Sequence, residues 1–196
     1  MKNSSPENRC PWVDLTKGDY VAYHDREWGV PVHDDHIMFE FLILEGAQAG
    51  LSWYTVLRKR AAYKRAFANF DPEKVARYGK RQFDRLMQDG GIIRNQQKIA
   101  AAIINAKRFL AVQEEFGNFD SYIWRFVDGK PIVNTLRALK DYPATSRESD
   151  ALSRDLKQRG FKFVGSTICY AHMQATGMVN DHVLTCLRRQ EIIDGY

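Results

Sequence analysis

The chain has 196 residues, 44% of them apolar and 27% charged, with 13 glycines and 6 prolines, a balance that excludes a long low-complexity linker and fits one soluble globular domain. Its formal net charge of +5 and pI near 9.1 lean toward an anionic partner without naming one. No apolar run approaches the ~18 residues of a membrane span, and the N-terminus has no signal-peptide pattern, so a cytoplasmic protein with no membrane partner is expected.

In chain order, residues 1–8 read as a floppy tail, after which helical periodicity dominates. Asp34 can cap a helix carrying Met38, Phe41, Leu42 and Leu44, which Gly46 and Gly50 fray or end. Ser52 can cap the next, through Val56, Tyr63 and Phe67. In "FDPEKVARYG", Asp71 stands at a cap, Pro72 at the first helical position and Gly79 at the close of a short helix. A helix over 80–89 then meets Gly90 and Gly91. From 94 to 116, the spacing of Ile99, Ala102, Ile103, Ala106, Phe109 and Leu110 predicts a long helix. Shorter helices are expected near 119–127, across 150–159 and 165–176, with a polar loop over 141–149. The best strand candidate is "FKFV", 161–164. The fold class is therefore all-α, one domain over 1–196, with no internal repeat.

Three patterns carry chemistry. "LEGAQAGLSW", 44–53, places a single carboxylate, Glu45, after an apolar run and ahead of Trp53; its bland alternative is an acid at the polar end of a core helix, bonded to backbone. Of the three cysteines, Cys10, Cys169 and Cys186, two stand near histidines. His182 and Cys186 are four apart, a spacing that brings both onto one helix face, and Cys10 with His24 completes a possible Cys2His2 set of tetrahedral-metal type. Such a site would close a loop of nearly the whole chain. Cys169, between apolar neighbours, reads as a core thiol. Third, "RLMQDGGIIRNQQKIAAI", 85–103, is a helix, a glycine turn and a second helix, which can present backbone N–H groups and a helix N-terminus to a phosphate. The basic run "RKRAAYKR", 58–65, is either part of such a surface or a solvated helix face.

"CPWVDLTKGDYVAYHDREWGVPVHDDHIMFEFLILEGAQAGLSWYTVLRKR", "DGGIIRNQQKI" and "RGFKFVGSTICYAHMQATGMVNDHV" together resemble the type I 3-methyladenine DNA glycosylases, over about residues 10–186. The resemblance implies a helix-hairpin-helix glycosylase fold, with the hairpin element at about 80–110. It also implies one structural zinc joining the segments 10–24 and 182–186 through Cys10, His24, His182 and Cys186, and no organic cofactor. Glu45 would be the base-recognition and electrostatic residue, in a pocket walled or flanked by Trp53, Tyr23, Trp28 and Trp12. Trp124, away from that group, reads as core. Gly50 and Leu51 would fill the gap left by a flipped nucleotide, and Gly91, Ile92, Ile93, Arg94 and Lys98 would meet the DNA backbone. Lys162, Ser166 and Thr167 would lie near the pocket rim. The implied partner is alkylated double-stranded DNA, the product free 3-methyladenine, and the protein a monomer.

The wider hairpin glycosylase group usually carries an aspartate a little beyond the hairpin, but no acid occurs over 98–110. The type I family is thought to lack it too. An alkylated purine cation is already a good leaving group, so recognition, dehydration and orientation can carry the reaction. Two other readings compete. The pairs His24-Asp25, His33-Asp34 and Asp181-His182 invite an all-α metal-dependent phosphohydrolase, and a zinc-stabilised DNA-binding module without catalysis would share the metal ligands.

Overall fold

A computed structural model describes residues 8–195, leaving positions 1–7 of the expected tail outside. The chain begins with α1, Gly18–Arg26, and passes to α2, Asp35–Gln48, whose N-terminus Asp34 caps by accepting from the Ile37 amide. α2 is apolar nearly all round, burying Met38, Phe39, Phe41, Leu42, Ile43, Leu44 and Ala47, which is the pattern of a helix enclosed by others. Glu45 is the one charged side chain in this buried set. Gly46 does not break the helix; Gly50, with φ +78°, follows its end.

Ser52 caps α3, Trp53–Leu57, as expected, but the segment divides, and α4 covers Arg60–Ala66. α5, Pro72–Ala76, has Asp71 at its cap and Pro72 at its first position. Gly79 corrects the expectation. It does not close α5 in a left-handed turn; with φ −109° it precedes α6, Lys80–Gln88, and its amide donates to the Gln82 side chain. α7, Gln96–Phe116, starts after Asn95, whose side chain accepts from the Lys98 amide.

α7 packs on α2, α5 and α6, and on α8, Phe119–Ile123. Ile99, Ala102, Ala106 and Phe109 of the predicted stripe are buried, whereas Ile103 and Leu110 are half-buried at its margin. The Phe109 ring stacks on Phe119 at 4.1 Å; burying such a ring is worth about 2–3 kcal/mol. Trp124 is core as expected, its indole N–H donating to the Val32 carbonyl at 3.0 Å.

α9, Arg147–Gln158, starts three residues earlier than expected because Ser146 and Ser149 form a reciprocal cap. α10 follows over Ser166–Ala175, and α11 over Leu187–Ile193. "FKFV" is not a strand. Phe161 and Val164 are buried in a turn where Phe163 has φ +53°, and no neighbouring segment offers it a ladder. The pairing that forms instead is between β1, Ile132–Val133, and β2, Val179–Asn180, parallel and two residues long. It ties the mid-chain loop to the stretch leading into His182. No helix is long and apolar enough to cross a membrane among the described residues.

Candidate active site

α1, α2, α3 and α10 enclose a cavity of about 290 Å³ whose lining includes Trp12, Tyr23, Trp28, Glu45 and Trp53. Sequence separation within this set reaches from position 12 to 53, and Tyr23 of α1 joins it by meeting Phe41 of α2 and Trp53 of α3. The rings meet at angles: Trp12 and Trp28 edge to face at 4.9 Å, Tyr23 and Trp53 tilted at 5.3 Å. Such packing fixes their planes without filling the space between them.

Glu45 is 3% exposed, and its Oε2 has no hydrogen-bond partner. The alternative of an acid bonded to backbone is thus not what the structure contains. Burial pushes its carboxyl from an ordinary value near 4.5 up to about 8, because no cation stands by to stabilise the charged form. The indole N–H groups of Trp12 and Trp53 are also buried without partners, and both residues line the same cavity. Three orphaned polar atoms on the residues that line one cavity point to a polar, planar ligand, since each costs about 1–3 kcal/mol while unpaired.

Tyr20, Gln48, Tyr142 and Gln174 also line the cavity and were not identified from sequence. Tyr142 lies in the stretch taken as a polar loop, where the apolar Leu139 and Pro143 flanking it were the available signal. Gln174 donates at 2.7 Å to Asp181, which Tyr170 and Asn134 also hold; nothing in the local sequence announces that buried network.

Beside the cavity runs a cleft that shares Glu45 and Gln48 and is bordered by Gly50, Leu51 and Thr167. Leu51 is 40% exposed, an apolar side chain standing at the cleft edge. Ser166, by contrast, turns inward to the Ser149 hydroxyl at 2.8 Å, and Lys162 is exposed.

α6 and α7 are joined over 89–95 by the glycine-containing turn. Its inner amides are engaged within the protein: Gly91 donates to the Asp89 carboxylate, Ile92 to the Asp89 carbonyl and Ile93 to the Tyr63 hydroxyl. Arg94 is exposed. Lys98 is drawn inward, its ammonium 2.7 and 2.6 Å from the carbonyls of Ala47 and Ala49, so it satisfies the C-terminal end of α2 and braces the loop carrying Gly50 and Leu51. The basic run is similarly divided. Lys59 holds the carbonyls of Gly90 and Gly91, Arg60 pairs with Glu40 and Glu27, and Arg58, Lys64 and Arg65 are exposed.

On the far side of Trp28, the donor atoms of Cys10, His24, His182 and Cys186 lie within 4.8 Å of one another, all four residues buried. His182 Nδ1 is 3.3 Å from each sulfur, and His24 Nε2 is 3.6 Å from Cys186 Sγ. A tetrahedral site with metal–sulfur bonds of ~2.3 Å and metal–nitrogen bonds of ~2.0–2.1 Å has sulfur–nitrogen edges of about 3.6 Å, so the set fits one ion. The outer ring nitrogens are fixed as well, His24 Nδ1 by Asp25 at 2.8 Å and His182 Nε2 by the Trp28 carbonyl at 3.0 Å. Bonding from Cys10, then from His182 and His24, pulls the Cys186 thiol well below the usual thiol range, which is the state a metal takes.

One expectation about this cluster is corrected. Residues 182–186 are not helical, and the two side chains do not share a helix face; the segment is extended, turns at Leu184 and Thr185, and delivers Cys186 at the start of α11. The His-Asp pairs do not gather into a second metal site. His33 is exposed and bonded to Asp120, and the Cys2His2 set is the one group of candidate ligands close enough to share an ion among the described residues.

A family model described as methyladenine glycosylase matches residues 12–189. DNA-3-methyladenine glycosylase 1 of Escherichia coli (strain K12) is 51% identical over 178 residues, covering 91% of this chain and 95% of that protein. DNA-3-methyladenine glycosylase of Haemophilus influenzae is 48% identical, covering 91% of this chain and 96% of that protein. Among solved structures, 3-methyladenine DNA glycosylase I from Staphylococcus aureus, described for its recognition of 3-methyladenine, superposes with a TM-score of 0.90 at 34% identity, covering 94% of this chain and 98% of that one.

Proposed function

The chain belongs to the methyladenine glycosylase family, and from that membership and the pocket's chemistry we infer that Glu45 is the residue by which it recognises its lesion. The protein is a DNA-3-methyladenine glycosylase, an N-glycosyl hydrolase that removes 3-methyladenine from DNA in repair and leaves an abasic site. The observation that carries the assignment of Glu45 is its enclosed, partnerless Oε2 in a ring-lined cavity.

Adenine methylated at N3 within DNA bears a delocalised positive charge and an exocyclic amine. In water a carboxylate would gain little from such a cation, but in a poorly hydrated site the pair is strong. Trp53, Tyr23, Trp12 and Trp28 supply ring faces that add about 0.5–2 kcal/mol of cation–π attraction. The undamaged base is neutral and leaves Glu45 uncompensated, so discrimination comes from charge. Departure of the cation as a neutral purine needs no general acid, which fits the absence of any carboxylate over 98–110.

Around this centre, Leu51 on the Gly50 turn fills the stack vacated by the flipped nucleotide. The hairpin residues Gly91, Ile92 and Ile93 shape a turn whose phosphate contact comes through Arg94 and the first amides of α7, with Lys98 supporting the loop from beneath. The Cys10, His24, His182 and Cys186 set holds one structural zinc, closed to substrate by its four protein ligands. No disulfide joins Cys10, Cys169 or Cys186, which suits a cytoplasmic protein. It acts as a monomer on double-stranded DNA without an organic cofactor.

Incubation with methylated duplex DNA and chromatography of the released bases tests the reading. Wild-type protein should release 3-methyladenine, and Glu45→Gln should slow release about a hundredfold, the usual cost of removing a charge-stabilising group, while binding undamaged duplex within about twofold of wild type. Equal losses in both measurements would sink the role of Glu45.

A further inference from the structure

Tyr142, in the segment before α9, has two ends that serve different places. Its ring lines the aromatic cavity beside Trp28, 6.4 Å away and tilted by 36°. Its hydroxyl is enclosed and joined to no oxygen or nitrogen, whereas a buried tyrosine ordinarily finds a partner for its O–H. The side chain packs in one apolar cluster with Cys10, Val183 and Cys186, and the group beside the hydroxyl is the Cys10 sulfur. Burial, and next that sulfur, push the phenol well above its ordinary value near 10, so it stays a neutral donor. Asp181 is also close, but its carboxylate is already held by Asn134, Tyr170 and Gln174.

The segment that carries Tyr142 is tied at its start and shaped in its middle. The Leu184 amide donates to the Leu136 carbonyl at 2.9 Å, and Asp141 accepts from the Arg137 and Ala138 amides at 2.9 Å each, which folds a tight turn over Leu139–Asp141. Leu139, 59% exposed, lines the cavity together with Tyr142 and Pro143. A hydroxyl held at Cys10 fixes the second end of this wall, so that both of its ends are fastened to the segments that supply the candidate metal ligands.

We propose that Tyr142 is a positioning residue that couples the metal site to the base pocket: its hydroxyl donates to the Cys10 sulfur, and the ring held in this way keeps residues 136–143 in place as one wall of the cavity. The inference rests on the assignment of zinc to Cys10, His24, His182 and Cys186 given above. A metal-bound thiolate keeps lone pairs that accept such a bond, and outer partners of this kind change metal affinity by about 10–100-fold. Trp28 meets the same cluster from its own side, through its carbonyl and His182, so two neighbouring walls of the pocket are referred to one set of ligands.

Tyr142→Phe keeps the ring and removes only the hydroxyl, and the test is what this does to the metal. Zinc should pass to a chelator about tenfold faster than from wild type. With cobalt(II) in place of zinc, the sulfur-to-metal charge-transfer band should move to longer wavelength, because a thiolate that loses a hydrogen bond gives up its electrons more easily; a tyrosine that only packs would leave the band where it is. In wild-type protein, withdrawal of zinc should speed amide hydrogen exchange over 138–143 while α7 stays protected, and this measurement decides the matter if the Phe variant does not fold. A folded Tyr142→Phe with unchanged cobalt spectrum and zinc release overturns the proposal, as does exchange over 138–143 that is indifferent to zinc. If wild-type protein bound no zinc, the metal assignment would fall first; if it binds zinc and Tyr142→Phe alters nothing, only the present inference fails.

Discussion

Glu45 is held between two opposing demands. A carboxyl whose folded-state pKa is raised from near 4.5 to about 8 contributes its full stability only below its unfolded value, and that contribution is lost as pH rises toward about 8, since the unfolded chain is then the better place for the charge. Glu45→Gln should therefore melt at a higher temperature than wild type at pH 8, with the gap closing at pH 5, as read by calorimetry. Catalysis runs the other way. The cation binds the carboxylate and not the acid, so excision by wild type should rise up to about tenfold per pH unit and level off at or below about pH 8, while Glu45→Gln shows no such rise. On the proposed role, the same burial that destabilises this acid is the source of its selectivity. The sequence exposed the oddity, one acid within an apolar run, but a bonded helix-end carboxylate has the same local pattern; only the enclosing rings and the missing partner separate the two.

Between helices, the loop after α2, which the proposed function sets against DNA, is braced on both sides. Lys98 reaches from α7 to the carbonyls of Ala47 and Ala49, and Ser52 begins α3 by accepting from the Thr55 amide at 3.3 Å. Leu51 is presented between these anchors and packs on little else, so Leu51→Ala should leave the melting temperature within about 1 °C yet slow excision roughly tenfold, because the extruded nucleotide then lacks part of its replacement in the stack. Lowered excision accompanied by an equal fall in stability would instead mark Leu51 as a packing residue. Capped elements such as α2, α3 and α5 were legible because a cap is a local hydrogen bond between near neighbours in sequence. α1 and α11 were not. Both are short, α1 without a side-chain cap and α11 capped by no side chain of its own, and the Cys10, His24, His182 and Cys186 cluster and the aromatic wall adjoin them.

Across the molecule, that cluster joins position 10 to position 186 and also supports the pocket. Trp28 packs on His182 at 4.7 Å, and Trp12 on His24 at 5.3 Å, so the ligands and the cavity wall are one packed unit. Closing a loop of this length is worth on the order of 4 kcal/mol in the chain-entropy picture. Chelation, or Cys186→Ser, should lower the melting temperature by roughly 8–16 °C and reduce excision in parallel, with elemental analysis giving one zinc per chain before treatment. Excision that survives complete metal removal with unchanged melting would contradict a structural ion. Gly177 shows how tightly the same region is built. At φ +70° a Cβ there would lie 2.2 Å from the Val30 carbonyl carbon, so the strand entering His182 passes directly against the chain beyond Trp28.

What the amino-acid order settled by itself was everything governed by near neighbours: the helical class, the caps of α2, α3 and α5, the long stripe of α7, and the residue types able to bind a cation or a metal. What required the folded chain was convergence. Four candidate ligands drawn from both ends meet within 4.8 Å through an extended turn and not a helix face, Lys98 turns inward, Tyr142 and Gln174 complete the pocket, and His172 comes to share a cavity with Glu45. Periodicity encodes which side of an element is apolar, but which two apolar sides meet, and which polar atoms are left facing each other when they do, depends on packing between segments far apart in the chain.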